Sequence, residues 1–474
     1  MKNKIFAAVL AASFLGTGSV ETVAQELRSS YFMKTSTYRH QINPALLTET
    51  YVGMPFLGNL NVGLQGNVGL KNFIYKLEGN PNYDLTTFMN PEVSADEFLG
   101  DLGDKNRINI HLNENIFSTA FSAFGGINLV ELNLRSNTHV NLPYELFEFM
   151  KTTGSKEHYS LKDVGARTQN YAELAFGHSR AIDEKLRVGA KVKLLFGLAY
   201  ADLKAENLDL TMTDDVWAID GDVQLNAALM KTKFSHEGPD KNSPDGRPRV
   251  EGLDDFSGGL SGFGLGFDLG ATYQFNEDLL LSASLTDLGF ISWSGVQKAS
   301  SAGSWTFDGF DNIYAGSDKG PDDRYMIGQQ FEDLGDDLEE IFSVYDDGEG
   351  SKTTALAATL NIGAEYTMPF YRNLSAGFLY TSRFAGAYSF HQGMLAVNCR
   401  PLSWIEASVN TSFTSTGCGF GGMLSFYTKR FNFFIGSDHF LGKVSKEYFI
   451  PVNSMNANVA VGINFPLSNN NWNN

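Results

Sequence analysis

Three basic residues share one face of an unusually regular stretch of the chain. Every second residue of 186–200 is apolar, and the positions between them include Arg187, Lys191 and Lys193. Lysine and arginine favour anions where water is partly excluded, so this face could receive the carboxylate of a ligand. The alternative is that the three cations form ion pairs with acidic residues such as Glu173 and only fill an interior.

Two further motifs match the residue patterns of chemical sites but not the secondary structure that those sites require. Gly-His-Ser-Arg-Ala at 177–181 is one residue short of a nucleophile elbow around Ser179, but that elbow requires a strand followed by a helix. A second strand follows here, so we predict a hairpin end and no catalytic residue. The glycines at 262, 264 and 266 match part of a dinucleotide fingerprint, yet no helix begins after them. They indicate instead a curved sheet or a close approach of another chain segment.

The sequence predicts neither a metal site nor a cofactor site. Its eight histidines include no pair spaced four residues apart, and the two cysteines, Cys399 and Cys418, are too few for a four-ligand zinc site or a disulfide scaffold. Acidic residues concentrate in 308–349 but lack the spacing of an EF-hand. We therefore expect a protein that is not an enzyme.

The alternation that positions the three basic residues recurs along most of the chain. The run at 186–200 is longer than a typical strand of a soluble protein and suits a tilted crossing of a bilayer. Counting similar runs between turn signals predicts an all-β fold, a transmembrane antiparallel β-barrel of about 14 strands. Short turns lie on one side, and long extracellular loops at about 71–106, 202–259, 294–354 and 438–456 lie on the other.

The two ends of the chain predict export and a plugged interior. Residues 1–24 combine two lysines, a short apolar run and small residues before a cleavage site, which is typical of a signal peptide. Residues 25–56 show no strand period and directly precede the first clear strand, so we expect a plug or hatch inside the barrel. Residues 57–466 form the predicted barrel, and 467–474 form an Asn-rich periplasmic tail.

Composition narrows the location and the partners. The net charge of −18 argues against nucleic acid as a partner. No segment has the roughly 18 uninterrupted apolar residues of a membrane-spanning helix. Together with the signal peptide, these features predict the outer membrane of a Gram-negative bacterium, with membrane lipid and lipopolysaccharide as surroundings.

Three short stretches resemble one group of bacterial barrels. Asn43-Pro44-Ala45 resembles a motif near the N-terminus of the long-chain fatty-acid outer-membrane transporters and of the related type IX secretion shuttle barrel. Asp-Leu-Gly at 287–289 and Leu-Pro-Tyr-Glu-Leu-Phe-Glu-Phe at 142–149 resemble a Bacteroidota outer-membrane family of unknown function in that clan. The resemblance implies a barrel of about 14 strands whose N-terminal segment, with Asn43, Pro44 and Ala45, forms a lumen hatch. The resemblance does not identify a substrate.

These observations leave several functions open. The leading hypothesis is a passive channel or transporter for small hydrophobic or amphipathic molecules, in which Arg187, Lys191 and Lys193 hold a head group. The alternative is a barrel that does not transport and whose long loops bind or assemble with an outer-membrane, secreted or surface protein. A third hypothesis, an outer-membrane hydrolase, depends on Ser179 alone.

Overall fold

The structure, a computed structural model, describes eleven stretches of the chain. They are residues 26–76, 85–152, 155–212, 217–236, 246–254, 257–301, 314–315, 344–386, 389–414, 417–439 and 457–467. The predicted signal peptide, the tail beyond residue 467 and most of the acidic stretch 308–349 lie outside these residues.

Strands make up most of the described chain. The strands are β1 (Tyr51–Gly53), β2 (Leu60–Gly66), β3 (Ile74–Lys76), β4 (Leu85–Thr87), β5 (Lys105–Ala123), β6 (Gly126–Pro143), β7 (His158–Ala181), β8 (Leu186–Met212), β9 (Trp217–Leu229), β10 (Phe234–His236), β11 (Val250–Leu253), β12 (Gly262–Gln274), β13 (Leu279–Ser301), β14 (Tyr314–Ala315), β15 (Val344–Ala355), β16 (Ala358–Thr367), β17 (Leu374–Phe384), β18 (Phe390–Leu402), β19 (Ile405–Thr414), β20 (Gly417–Tyr427), β21 (Asn432–Ser437) and β22 (Ala457–Pro466). The helices are α1 (Ala95–Gly100), α2 (Tyr144–Thr152) and the 3-10 helices η1 (Arg28–Ser30), η2 (Thr37–Gln41), η3 (Pro44–Leu46) and η4 (Leu70–Asn72).

Seventeen of the strands form one sheet that closes on itself. At three places two strands lie in line along the same neighbour: β1 with β2, β9 with β12, and β15 with β16. The seventeen strands therefore occupy fourteen positions around a ring in which neighbours are antiparallel. The ring is closed because β1 and β2 pair with both β5 and β22. This confirms the antiparallel barrel of about 14 strands predicted from the sequence.

The barrel wall is apolar outside and polar inside. Val192 on β8 pairs with Phe176 on β7 and Phe267 on β12, and these side chains are 44%, 47% and 46% exposed. Their chain neighbours Lys191 and Lys193 point inward and are buried. Because successive strand residues face opposite sides, the register that buries Lys191 and Lys193 sends Val192 and its paired phenylalanines outward. This arrangement is typical of a barrel surrounded by lipid.

No helix in the described part of the chain is long and apolar enough to cross a membrane.

Val192→Arg should destabilise the barrel by about 2–4 kcal/mol, because it places a charge on the lipid-facing wall. Urea unfolding of the protein reconstituted in vesicles measures this loss. Ser160→Arg is the matched control, since Ser160 is exposed on the part of β7 that pairs with Asp209 near the long-loop end of β8. Equal stability of the two variants would contradict the outward placement of Val192.

The two ends of the barrel differ in their connections. At one end, here the short-turn end, the strands are joined by 124–125, 182–185, 275–278, 368–373, 403–404 and 428–431. The opposite end, here the long-loop end, carries α1, α2 and the small sheets β3-β4-β14 and β10-β11. The predicted asymmetry between short turns and long connections is therefore present.

The structure differs from the predicted boundaries at two long connections and at the barrel start. The ranges 202–259 and 294–354 were predicted as loops, but β8 continues to Met212, β9 pairs beside it, and β13 and β15 extend the wall. A register shift between Ala205 and Leu208 breaks the period-2 pattern, which hid this strand in the sequence. A hydrophobic cluster including Leu161, Leu210 and Val223 holds the extension together. The barrel also begins earlier than predicted, with β1 inside the range 25–56.

Candidate functional site

Residues 26–50, here called the N-terminal segment, lie inside the ring of strands. All but four of them are buried. The segment contacts strands on different sides of the ring: the Tyr31 hydroxyl donates to Ser282 Oγ at 2.9 Å, and the Thr35 amide donates to Glu406 Oε2 at 2.8 Å. Within the segment, the small space next to Leu47 has no room for a water molecule. The segment is therefore closely packed here and is hydrogen-bonded to the wall on different sides of the ring.

The Asn43-Pro44-Ala45 motif forms a tight turn within this segment. The Asn43 side chain caps η3 by accepting a hydrogen bond from the Ala45 amide at 3.0 Å, and Pro44 begins that helix. The Asn43 amide group donates in turn to the Tyr31 hydroxyl at 3.0 Å. The motif is therefore a local fold that presents a compact turn to the barrel wall.

Two glycines of the wall provide the surface on which this turn lies. Gly189 on β8 and Gly270 on β12 are directly paired across the two strands. A Cβ atom at Gly189 would collide with the carbonyl group of Pro44, and one at Gly270 would collide with the side chain of Asn43. Glycine in a strand often marks such a close approach of another backbone. The turn can reach the wall only because both side chains are missing.

Lys191 anchors the N-terminal segment. Its Nζ atom lies 2.6 Å from Glu131 Oε1 and 3.1 Å from His40 Nδ1. The Gln41 side chain donates to the other oxygen of Glu131 at 3.3 Å. Lys191 is therefore engaged in an ion pair that connects β8, β6 and the segment.

Lys193 lies at the centre of a buried charge cluster. Its Nζ atom is 2.6 Å from Asp287, 2.8 Å from Asp268 and 3.6 Å from Glu173. Asp287, the first residue of the Asp-Leu-Gly motif, has a positive φ of 57°, and its amide donates to Asp268 at 2.8 Å. The motif thus turns the strand locally so that Asp287 reaches Lys193.

Arg187 lies apart from both lysines, near the short-turn end. It is half-buried and donates to Ser179 Oγ at 3.3 Å, and Ser179 donates to the Ala45 carbonyl at 3.3 Å. The structure therefore brings each of the three predicted basic residues to a different set of partners. Lys191 and Lys193 are paired with carboxylates, and neither lines the cavity described next.

A cavity of about 350 Å³, here the central cavity, lies between the N-terminal segment and the long-loop end. Its charged lining residues are Glu26, Arg28, Arg135, Arg167, Asp287, Lys352 and Arg383. Its apolar lining residues include Ile42, Leu112, Leu356 and Phe384. The cavity therefore combines cationic groups with apolar surface.

Three of its cations are already paired with carboxylates. Arg135 lies 2.8 Å from Glu26 and 3.5 Å from Glu173. Arg167 forms a two-pronged pair with Asp202 at 2.9 and 3.2 Å, and Lys352 lies 3.2 Å from the same carboxylate. These three cations are therefore held by carboxylates of the barrel and of the N-terminal segment.

Two cations of the central cavity differ from the others. Arg383 donates to Asn137 Oδ1 at 3.0 Å and lies 3.5 Å from His111 Nδ1, while its buried Nε has no hydrogen-bond partner. The Arg28 guanidinium donates to the Gln392 side chain and lies over the Phe390 ring at 5.2 Å. Neither guanidinium forms an ion pair with a carboxylate of the described residues. Sequence reasoning missed both, because no local pattern distinguishes them from other arginines.

The motifs that resembled catalytic or nucleotide sites lie within the strands of the barrel wall. Ser179 is buried within β7, which continues to Ala181 without a nucleophile elbow. The glycines at 262, 264 and 266 face inward, where Gly262 packs against Trp293 and Gly264 against Ile291. Among the described residues, no group of three or more His, Cys, Asp or Glu side chains is arranged to hold a metal ion.

Comparison with solved structures finds barrels of distant sequence. The toluene transporter TbuX of Ralstonia pickettii has a TM-score of 0.42 and 11% identity, covering 90% of this chain and 92% of that one. The toluene transporter TodX of Pseudomonas putida has 0.38 and 9%, covering 89% and 92%. A Pseudomonas aeruginosa FadL homologue has 0.37 and 10%, covering 89% and 91%. At these values the likeness assigns no substrate to this chain.

Comparison of the sequence with curated proteins and with protein families shows the family of the chain. No curated protein matches the chain. Residues 44–438 match a family of unknown function, DUF5723. This range begins at Pro44 of the Asn-Pro-Ala turn and includes most of the barrel strands and the Asp-Leu-Gly motif. The chain therefore belongs to the DUF5723 family of unknown function.

Proposed function

We propose that this protein is an outer-membrane barrel that admits a small amphipathic molecule from the long-loop side, through the central cavity and past the N-terminal segment. In this proposal the long loops are extracellular and the short turns are periplasmic. The observation that carries the proposal is the central cavity, which is enclosed by the barrel wall and bounded below by the N-terminal segment.

The lining of the cavity favours an amphipathic molecule over a purely apolar one. Ile42 and Leu356 offer buried apolar contact, while cations line the same space. A volume of about 350 Å³ lies at the lower end of the range of about 300–1,000 Å³ found for small-molecule sites. The expected ligand is therefore small, with one charged or polar end.

The N-terminal segment would act as a hatch because its contacts with the wall are reversible. It is held by hydrogen bonds and ion pairs such as those of Thr35 with Glu406 and of His40 with Lys191. No covalent link joins the described segment to the opposite wall, since Cys399 and Cys418 are both free. Passage to the short-turn end requires the segment to move.

Locking the segment to the wall tests this function. Thr35 Oγ1 lies 3.0 Å from Ser425 Oγ on β20, so Thr35→Cys with Ser425→Cys should form a disulfide in a variant whose native cysteines are replaced by serine. In proteoliposomes we expect uptake of radiolabelled hexanesulfonate, a permanently charged amphiphile, when the disulfide is reduced. Oxidation should lower uptake to the rate of protein-free vesicles.

A second cysteine pair provides the control. Thr138 and Thr168 face each other on β6 and β7, with their hydroxyl oxygens 2.9 Å apart, so a disulfide there links wall to wall and leaves the segment free. Oxidation of this pair should leave uptake unchanged. Uptake that persists with the locked segment would contradict the hatch, and no uptake in either state would contradict transport.

A second function is favoured by a different observation. The long-loop end has its own hydrophobic cores, one of which packs Phe88, Phe98 and Phe147 around α1 and α2. We therefore keep the alternative of a barrel that presents this folded end to a secreted or surface protein. Affinity capture from solubilised outer membranes would support this alternative only if one partner is recovered in near-equal amounts.

A further inference from the structure

We propose that Arg383, together with Arg28 and His111, forms the binding site for an anionic group on the molecule that occupies the central cavity. The anionic group is an oxyanion, such as a carboxylate, sulfonate or phosphate, attached to a small apolar body. This inference rests on the proposed function, because it specifies the class of ligand that the cavity would admit.

Arg383 is a half-buried cation that forms no ion pair with a carboxylate of the described residues. It donates to the neutral Asn137 amide oxygen at 3.0 Å, and His111 Nδ1, which bonds to the same oxygen at 2.8 Å, lies 3.5 Å away. The Nε of Arg383 is buried without a partner. A buried donor without an acceptor is costly, and arginine presents a planar set of donors that fits an oxyanion through two parallel hydrogen bonds. A bound oxyanion would supply both the missing charge and the missing acceptor.

Arg28 adds a second charge from the other side of the site. It belongs to the N-terminal segment, whereas Arg383 belongs to β17, and both line the central cavity. The nearby Asp438 carboxylate accepts from the backbone amides of Arg28 and Ser29, each at 2.7 Å, and not from the Arg28 guanidinium. Two guanidinium groups that form no ion pair with a described carboxylate therefore face one cavity. Its lining has five cationic side chains against the two carboxylates of Glu26 and Asp287, and this excess of positive charge favours an anion.

The neighbouring cations show why the site is local to these residues. Arg135, Arg167 and Lys352 line the same cavity, but each has a carboxylate within ion-pair distance. A ligand anion near them would compete with Glu26 or Asp202. The same cavity thus contains cations with and without an ion-pair partner, so a substitution of one kind can be compared with a substitution of the other.

The rest of the ligand would contact the apolar lining. Ile42 of the N-terminal segment and Leu356 between β15 and β16 form this surface, and both are buried. Burial of a short alkyl or aromatic body there would add affinity that inorganic phosphate lacks. We therefore expect the cavity to prefer an organic anion over a free inorganic one.

Calorimetric titration of the full protein in detergent tests the inference. The probes are hexanesulfonate, neutral hexanol and inorganic phosphate. We expect hexanesulfonate to bind more tightly than either of the other two. Arg383→Gln should weaken hexanesulfonate binding by about 10- to 100-fold, since a hydrogen-bonded charge pair is lost, and Arg383→Lys should retain part of the affinity.

Arg167→Gln is the matched comparison, because it also removes a guanidinium group from the cavity lining, but one that already forms an ion pair with Asp202. It should weaken binding less than Arg383→Gln does. Unchanged heat-modifiable mobility in gels shows that each variant is folded.

The outcomes separate this inference from the proposed function. Equal binding of hexanol and hexanesulfonate, equal binding by wild type and Arg383→Gln, or tightest binding of inorganic phosphate would overturn the organic-anion site. None of these results would affect the uptake measured with the cysteine-locked segment. Conversely, tight hexanesulfonate binding that depends on Arg383, with no uptake in either locked or unlocked protein, would support this site and contradict transport.

Discussion

Lys193→Met should cause the largest loss of stability of any single substitution in the wall. Methionine would leave the carboxylates of Asp287, Asp268 and Glu173 close together and without the cation that lies 2.6–3.6 Å from them. Removing one partner of a buried ion pair typically costs about 3–5 kcal/mol. We expect the heat-modifiable band to disappear at a lower temperature and the urea midpoint to fall accordingly.

Two comparisons identify the cause of this loss. Lys352→Met removes a lysine whose side chain is 36% exposed, so its effect should stay within about 1 kcal/mol. The double variant Lys193→Met with Asp268→Asn removes one negative charge as well and should regain part of the stability. Asp268→Asn alone, in the wild-type protein, gives the cost of that substitution. If it lowers the stability of Lys193→Met by the same amount, unbalanced charge is not the cause of the loss in Lys193→Met.

Gly189→Val should release the N-terminal segment while the barrel itself still forms. Valine suits a strand, but its Cβ would occupy the place of the Pro44 carbonyl group, which is backbone and cannot turn aside. The segment would then lose its seat on β8 and β12 together with the contacts of Asn43. We expect protease to remove the segment from folded Gly189→Val and single-channel recordings to show an open conductance.

Gly393→Val is the control for the substitution itself. A Cβ at Gly393, also within a strand, would meet only Phe378 at 3.7 Å, which is an ordinary contact. This variant should keep the segment protected and the barrel closed. Protection of the segment in Gly189→Val as well would show that the glycine pair does not position the Asn-Pro-Ala turn.

The sequence by itself determined the class of fold and its polarity. Period-2 alternation is a local property, because neighbouring side chains of a strand must face opposite sides whatever the rest of the chain does. Residues such as Val192 and Lys193 therefore revealed an apolar outer face and a polar inner face before any partner strand was known. Turn residues likewise separated the short connections from the long ones. The extension of β8 to Met212 escaped this reasoning, because one irregularity shifts the alternation.

Only the tertiary structure decided which inward residues meet. Lys191, Lys193 and Arg187 looked equivalent in the sequence. In the closed ring, however, Lys191 meets Glu131, Lys193 meets three carboxylates, and Arg187 meets Ser179. The central cavity is equally non-local, since Arg28 and Arg383 are separated by most of the chain. Ion pairing and cavity lining depend on which strands become neighbours and on how the N-terminal segment folds back between them. A pattern within one strand carries no information about either.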